Sequence, residues 1–227
     1  IPANTRVGAA GAMGGRQLTV TRGGVNGQTT KAGVTVQVGL RQGSTVRRVA
    51  AGQSIQAAIN AANANDLILV EPGQYNEMVV MWKPIQLQGW GEGSTTINAL
   101  KQPTEKLAAW RAMVDGLVAT GAVDLLPGQE VGPGTPEPVT LWNEEGAGVL
   151  VLAKATGNQS FDYQRLNGNT QRNNREARID GFTIKSADTG GGIIANGYTD
   201  YLQISNNRSA NISGLFGGGM LVGHPLL

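Results

Sequence analysis

The sequence predicts an all-β chain wound as a solenoid of short parallel strands. Three observations carry this. Apolar runs recur between polar or glycine corners, as in "MVVM" at 78–81, "IQLQG" at 85–89 and "TTIN" at 95–98. The C-terminal third repeats itself: "GGGIIANG" at 190–197 returns as "GGGMLVGH" at 217–224, 27 residues on, and "FTIK" at 182–185 returns as "LQIS" at 202–205, 20 residues on. Glycine accounts for 34 of 227 residues, about twice its usual share and without a collagen period, which suits many tight corners. The alternation of two strand types predicts two sheets, each receiving one strand per turn.

In chain order, residues 1–48 hold two alternating pieces, "RQLTVTR" at 16–22 and "VTVQVGLR" at 34–41. Val34, Val36, Val38 and Leu40 share one face of the second, the period-two mark of a half-buried strand. This reads as a β-rich lead-in. The run "SIQAAINAANANDLILVEPGQY" at 54–75 then begins as a helix and ends as a strand and turn. Ser54 is placed to cap the helix, and Ile55, Ala58, Ile59 and Ala62 form a narrow apolar stripe. A helix faced mostly with alanine can sit flat across the open end of a strand stack and cover its core, which gives 54–64 the role of a lid. Asn65 and Asp66 end it, and "LILV" at 67–70 is apolar throughout, as a strand covered on both sides should be. Pro72 and Gly73 then turn the chain. Asn206 and Asn207 follow a later strand, where stacked asparagines at coil corners can hydrogen-bond neighbouring turns.

The run "GQSIQAAINAANANDLILVEPGQYNEMVVMWKPIQLQGWGEG" resembles the opening of the right-handed parallel β-helix proteins, the pectin lyase-like superfamily. The likeness covers residues 52–93 closely and resumes over 178–224 with "IDGFTI" and "LQISNN". It is greatest to large exported bacterial repeat proteins of undefined role and more distant to pectin methylesterases. The resemblance implies a right-handed coil, export to the cell surface, extracellular space or periplasm, and contact with polysaccharide. It carries no activity by itself, because one scaffold serves many sites. The paired aspartates of the methylesterases have no counterpart here.

Residues 99–177 break the rhythm. Thr104 is placed to cap a helix with Leu107, Trp110, Val114, Leu117 and Val118 on one face, and Gly121 to end it. "LPGQEVGPGTPEPVT" at 126–140 is a loop, "VLVLA" at 149–153 a strand, and 157–178 a polar run. Long loops on a stiff scaffold commonly hold function.

Composition excludes much. Hydrophobic residues are 40% and charged ones 15%, so ordering rests on burial more than on surface ion pairs. A net charge of +2 gives no basis for nucleic-acid binding. With Cys 0 there are no disulfides, thiolate nucleophiles or cysteine zinc sites, and one histidine leaves no His-rich metal site. No apolar stretch is long enough to span a bilayer.

The candidate ligand-binding residues are Trp142, Arg172, Arg175 and Arg178. An aromatic plane suits a sugar ring, and an arginine cluster suits an anionic sugar or, in lyases of the resembled fold, proton abstraction. The plainer account is a basic, solvated loop. Trp82, Trp90 and Trp110 are assigned to core or cap packing, and His224 to the surface. Asp180, Asp188 and Asp200 are the candidates for oxygen ligation of a metal, for which calcium is the cation; turn chemistry accounts for them equally well. No catalytic residue is assigned. The expected organisation is a lead-in at 1–48 and, over 49–227, an all-β right-handed parallel β-helix with an N-terminal capping helix and a loop and helix insertion at 99–177. Because "HPLL" at 224–227 follows a core strand directly, continuation by further chain or self-association is also expected. The expected function is a non-catalytic exported module, structural or binding polysaccharide or protein, with a lyase or esterase of acidic polysaccharide as the alternative.

Overall fold

The computed structural model describes residues 14–18, 34–40, 42–131, 140–157, 159–161 and 177–224. Three parallel sheets hold most of the strands. The first has β3 (Val46–Val49), β4 (Leu67–Val70), β7 (Gln86–Gly89), β10 (Arg178–Asp180) and β13 (Gln203–Ser205) side by side. The second has β5 (Gly73–Tyr75), β8 (Thr95–Asn98), β11 (Thr183–Lys185) and β14 (Arg208–Ala210). The third has β6 (Val79–Met81), β9 (Val149–Val151), β12 (Ile193–Ala195) and β15 (Met220–Val222). An antiparallel ribbon of β1 (Gly14–Leu18) and β2 (Val34–Val38) forms a fourth sheet.

Register explains the residue pattern. In the first sheet Ile68, Leu87, Ile179 and Ile204 are mutual partners and point inward. Tyr75, Ile97 and Ile184 do the same in the second, and Val79, Val149 and Ile193 in the third. These columns meet in one buried cluster. Val80, Leu150 and Ile194 face the other way and pack with Trp110, Val114 and Leu117 of α2 (Thr104–Ala119) in a second cluster. The third sheet is therefore apolar at every position of β6, β9 and β12 because both of its faces are covered.

Helix α1 (Ile55–Ala61) touches β3, β4 and β6 and sinks Ile55 and Ile59 completely into the first cluster. Burying each contributes roughly 1.5–3 kcal/mol. Ser54 caps it as expected, its hydroxyl accepting from Ala57 N at 3.1 Å. At the other end Lys83 Nζ donates to Asn60 O and Ala62 O, each at 2.7 Å. Asn207 accepts from Phe182 N at 3.0 Å and donates to Ile179 O at 2.8 Å, an amide bonding neighbouring strand ends. The glycine triplet at 190–192 is a matter of space, because a Cβ on Gly190 would lie 2.2 Å from Glu144 O and one on Gly192 2.5 Å from Gly219 O.

Several expectations need correction. The all-β, right-handed parallel β-helix or solenoid does not describe the fold. The described residues are mostly β, with separate parallel sheets of short strands, an antiparallel ribbon and two α-helices, one of 16 residues. Three strand families exist where the repeats suggested two: "FTIK" and "LQIS" are not equivalent, since β11 lies in the second sheet and β13 in the first. Their true partners β14 and β10 contain arginine, serine and aspartate and do not read as strands. Thr104 is the first residue of α2 and not its cap; Pro103 holds that position without a side-chain bond. His224 is buried, edge-on to Phe216 at 5.8 Å between ring centres. Among the described residues no helix is long and apolar enough to cross a membrane.

Candidate functional site

The outer face of the first sheet carries the candidate site. Residues two apart share a face of a strand, so Val46, Leu67, Gln86, Arg178 and Gln203 form one outward row, and Arg48, Leu69, Gln88, Asp180 and Ser205 the next. Leu67 and Leu69 make β4 apolar on this face, Gln86 and Gln88 make β7 amide, and β10 and β13 carry Arg178, Asp180, Gln203 and Ser205, while Arg48 puts a charge at the β3 edge. The ribbon β1–β2 lies over it. Gln88 Nε2 donates to Thr35 O at 2.6 Å, Gln17 Nε2 to Asn206 Oδ1 at 2.7 Å, and Asn206 Nδ2 to Thr35 Oγ1 at 3.2 Å.

Two clefts flank this ribbon. The larger, about 350 Å³, is lined by Val34, Thr35, Val36 and Gln37 of β2, by Val46, Arg48, Leu67 and Leu69, and by Gln88, Gly89 and Trp90. Trp90 is 49% exposed there, beside the exposed Val34 and Val46. Gly89 is required by close approach, since a Cβ would meet Gly181 O at 2.4 Å, and it fixes the backbone from which Trp90 projects. The smaller cleft, about 170 Å³, is lined by Gly15, Gln17, Arg178, Asp180, Ser205 and Asn206 among others, and Thr35 lines both. Arg178 and Asp180 are buried. Arg178 Nη2 donates to Gln88 Oε1, joining the amide and charged parts of the face. Asp180 Oδ2 accepts from Ser205 Oγ and from Asn206 Nδ2, the latter at 3.1 Å. Its Oδ1 is buried without a hydrogen-bond partner.

The other candidates are elsewhere. Trp142, in the 3₁₀ helix Leu141–Glu144, packs in the second cluster against Trp110, with ring centres 6.2 Å apart and planes at 53°. Arg111 lies 5.8 Å over its ring and is bonded to Glu145. Asp188 is exposed, accepts from Ser213 Oγ at 3.1 Å and stands 3.9 Å from Lys101 Nζ. Asp200 is exposed in a turn. The three aspartates do not converge, and the described residues contain no group of three or more histidine, aspartate or glutamate side chains able to hold a metal. Arg172 and Arg175 lie outside the described residues.

Trp90 is the residue the sequence reading misplaced, since its ring is half exposed rather than packed away. A signal was present: Gln86, Gln88 and Trp90 share parity in "IQLQGW", and the inward residue of that run is Leu87.

Two charged groups frame the helix end of the same sheet. Burial opposes the charge on Asp66, but hydrogen bonds from the backbone of Asn63 and Thr45 and from Arg47 outweigh it and hold the carboxyl below its usual range. Lys83 is pushed down by burial first and by Arg47 second, with Asp66 opposing. Comparison with protein-family models, with curated proteins and with solved structures gives no match in any of the three.

Proposed function

We propose that the chain is a non-catalytic module that binds polysaccharide along the outer face of the first sheet. The observation that carries this is the half-exposed Trp90 at the mouth of an apolar cleft that shares Thr35 with a polar one. A sugar has an apolar face of C–H groups and an equatorial belt of hydroxyls. The indole and the Val46–Leu67–Leu69 platform suit the first, and the carboxamides, Ser205 and Asp180 Oδ1 suit the second. Export to the cell surface or beyond is part of the same proposal, because a polysaccharide ligand would be met there.

Affinity electrophoresis against a panel of neutral and acidic polysaccharides tests the reading. Retardation by at least one polymer is expected, about tenfold weaker for Trp90→Ala, and unchanged for Trp142→Ala. Retardation by none, or equal retardation of Trp90→Ala, overturns it. A second reading, lyase or esterase action on acidic polysaccharide, is favoured by one observation: Arg178 and Asp180 line the same small cleft. Unsaturated ends or released methanol in the same incubations would select it.

A further inference from the structure

We infer that Glu144, Gln129 and Asn196 form a binding site for a hard, oxygen-coordinated cation. Glu144 closes the 3₁₀ helix, whose Leu141 N donates to Glu130 O at 2.9 Å; Gln129 directly precedes Glu130, and Asn196 directly follows β12, so the residues come from three separate segments. All three are buried, with exposures of 0%, 6% and 2%. Asn196 Nδ2 donates to Gln129 Oε1 at 2.8 Å, and Gln129 is the one side chain that favours the ionised form of Glu144. Among the described residues, four further polar atoms of this cluster have no partner in hydrogen-bond geometry: both carboxyl oxygens of Glu144, Gln129 Nε2, which is near enough to favour the carboxylate without a formed bond, and Asn196 Oδ1.

A buried carboxyl without a counter-charge is costly, and burial raises the Glu144 carboxyl to about 8. A proton relieves the charge but satisfies one oxygen and leaves Asn196 Oδ1 bare. A cation seated on the carboxylate would take lone pairs from both of its oxygens and would draw in the bare amide oxygen of Asn196. The donors are carboxylate and carboxamide, and the chain has no cysteine, so the chemistry selects calcium, magnesium or an alkali cation over zinc or copper. This site lies apart from Asp180, Asp188 and Asp200 and is independent of the polysaccharide reading.

The test is thermal melting of the whole chain at pH 8.5 after chelation, followed by titration with calcium chloride, magnesium chloride or sodium chloride, with choline chloride matching ionic strength. Calorimetry with the same salts supplies stoichiometry. One of the cations is expected to raise the melting temperature saturably and to bind once per chain. Glu144→Gln, similar in shape and uncharged, should melt higher than the parent without metal and lose the response. Asn196→Ala should bind about tenfold more weakly or worse. The inference is overturned if no cation does more than choline, or if Glu144→Gln keeps the parent's response. Should Glu144→Gln fail to fold, an unaltered affinity in Asn196→Ala overturns it instead.

Discussion

Glu77 does for α1 what the helix's own first turn does not. That turn holds no acidic residue, yet Glu77 Oε1 accepts from Ile55 N at 2.9 Å, and Oε2 accepts from Gln56 N at 3.0 Å and from Ser54 Oγ at 2.9 Å. A carboxylate from the strand connection before β6 thus satisfies two orphan amides and answers the positive end of the helix. Glu77→Ala is expected to cost about 1–2 kcal/mol in urea unfolding, the scale of a lost N-cap. Asp66 gives the pH dependence. Its folded value is below the unfolded one of about 3.9, so its contribution is complete above that value and is lost as pH falls through the folded value. The urea midpoint should therefore fall on acidification below pH 4, and Asp66→Asn should flatten that part of the profile. A variant that tracks the parent between pH 4 and pH 2 would show that Asp66 is not the group responsible.

At the scale of the element, α1 and α2 anchor opposite sides of the third sheet with different side chains. Ile59→Ala empties a position that is fully buried in the first cluster and should cost about 2–5 kcal/mol; Trp110→Ala, in the second, about 3–5 kcal/mol. Denaturant titrations of both variants check these values. The strands show how far sequence reasoning reaches. Runs with consecutive apolar residues, such as β4, β6 and β9, are legible because they are covered on both faces or nearly so. Four strands were not legible: β3, β5, β10 and β14. A three-residue strand needs only one inward side chain, and Arg178-Ile179-Asp180 supplies it with Ile179 while its charged neighbours lie under the ribbon. Hydrophobicity averaged over such a strand looks like a loop. The same blindness hid the site, because an outward row of carboxamides, arginine and aspartate acquires meaning only when five strands are set in register. The α2 helix was legible because its apolar stripe repeats over four turns, while its start was not, since Pro103 and Thr104 both suit a helix beginning.

At the scale of the whole molecule, three sheets share one core and the third separates it from a second. Damage to either cluster is therefore felt by the same strands. Ile59→Ala and Trp110→Ala should each lower a single unfolding transition, with near- and far-ultraviolet circular dichroism coinciding; a split transition in either variant would show that the clusters melt apart. The ribbon is a different matter. It has two strands and crosses the first sheet on a handful of side-chain bonds, with Thr35 at three of its crossing points: a bond from Gln88, a bond from Asn206 and the wall common to both clefts. Isolated two-stranded pairs are marginal in water. Amide protons of Val34–Val38 should consequently exchange with deuterium through a low-energy excursion that leaves β4, β7 and β10 protected. Because Thr35 is the wall that both recesses share, such an excursion would join them, and the exchange rate of these amides would then report how often one continuous trough is on offer to the ligand proposed above.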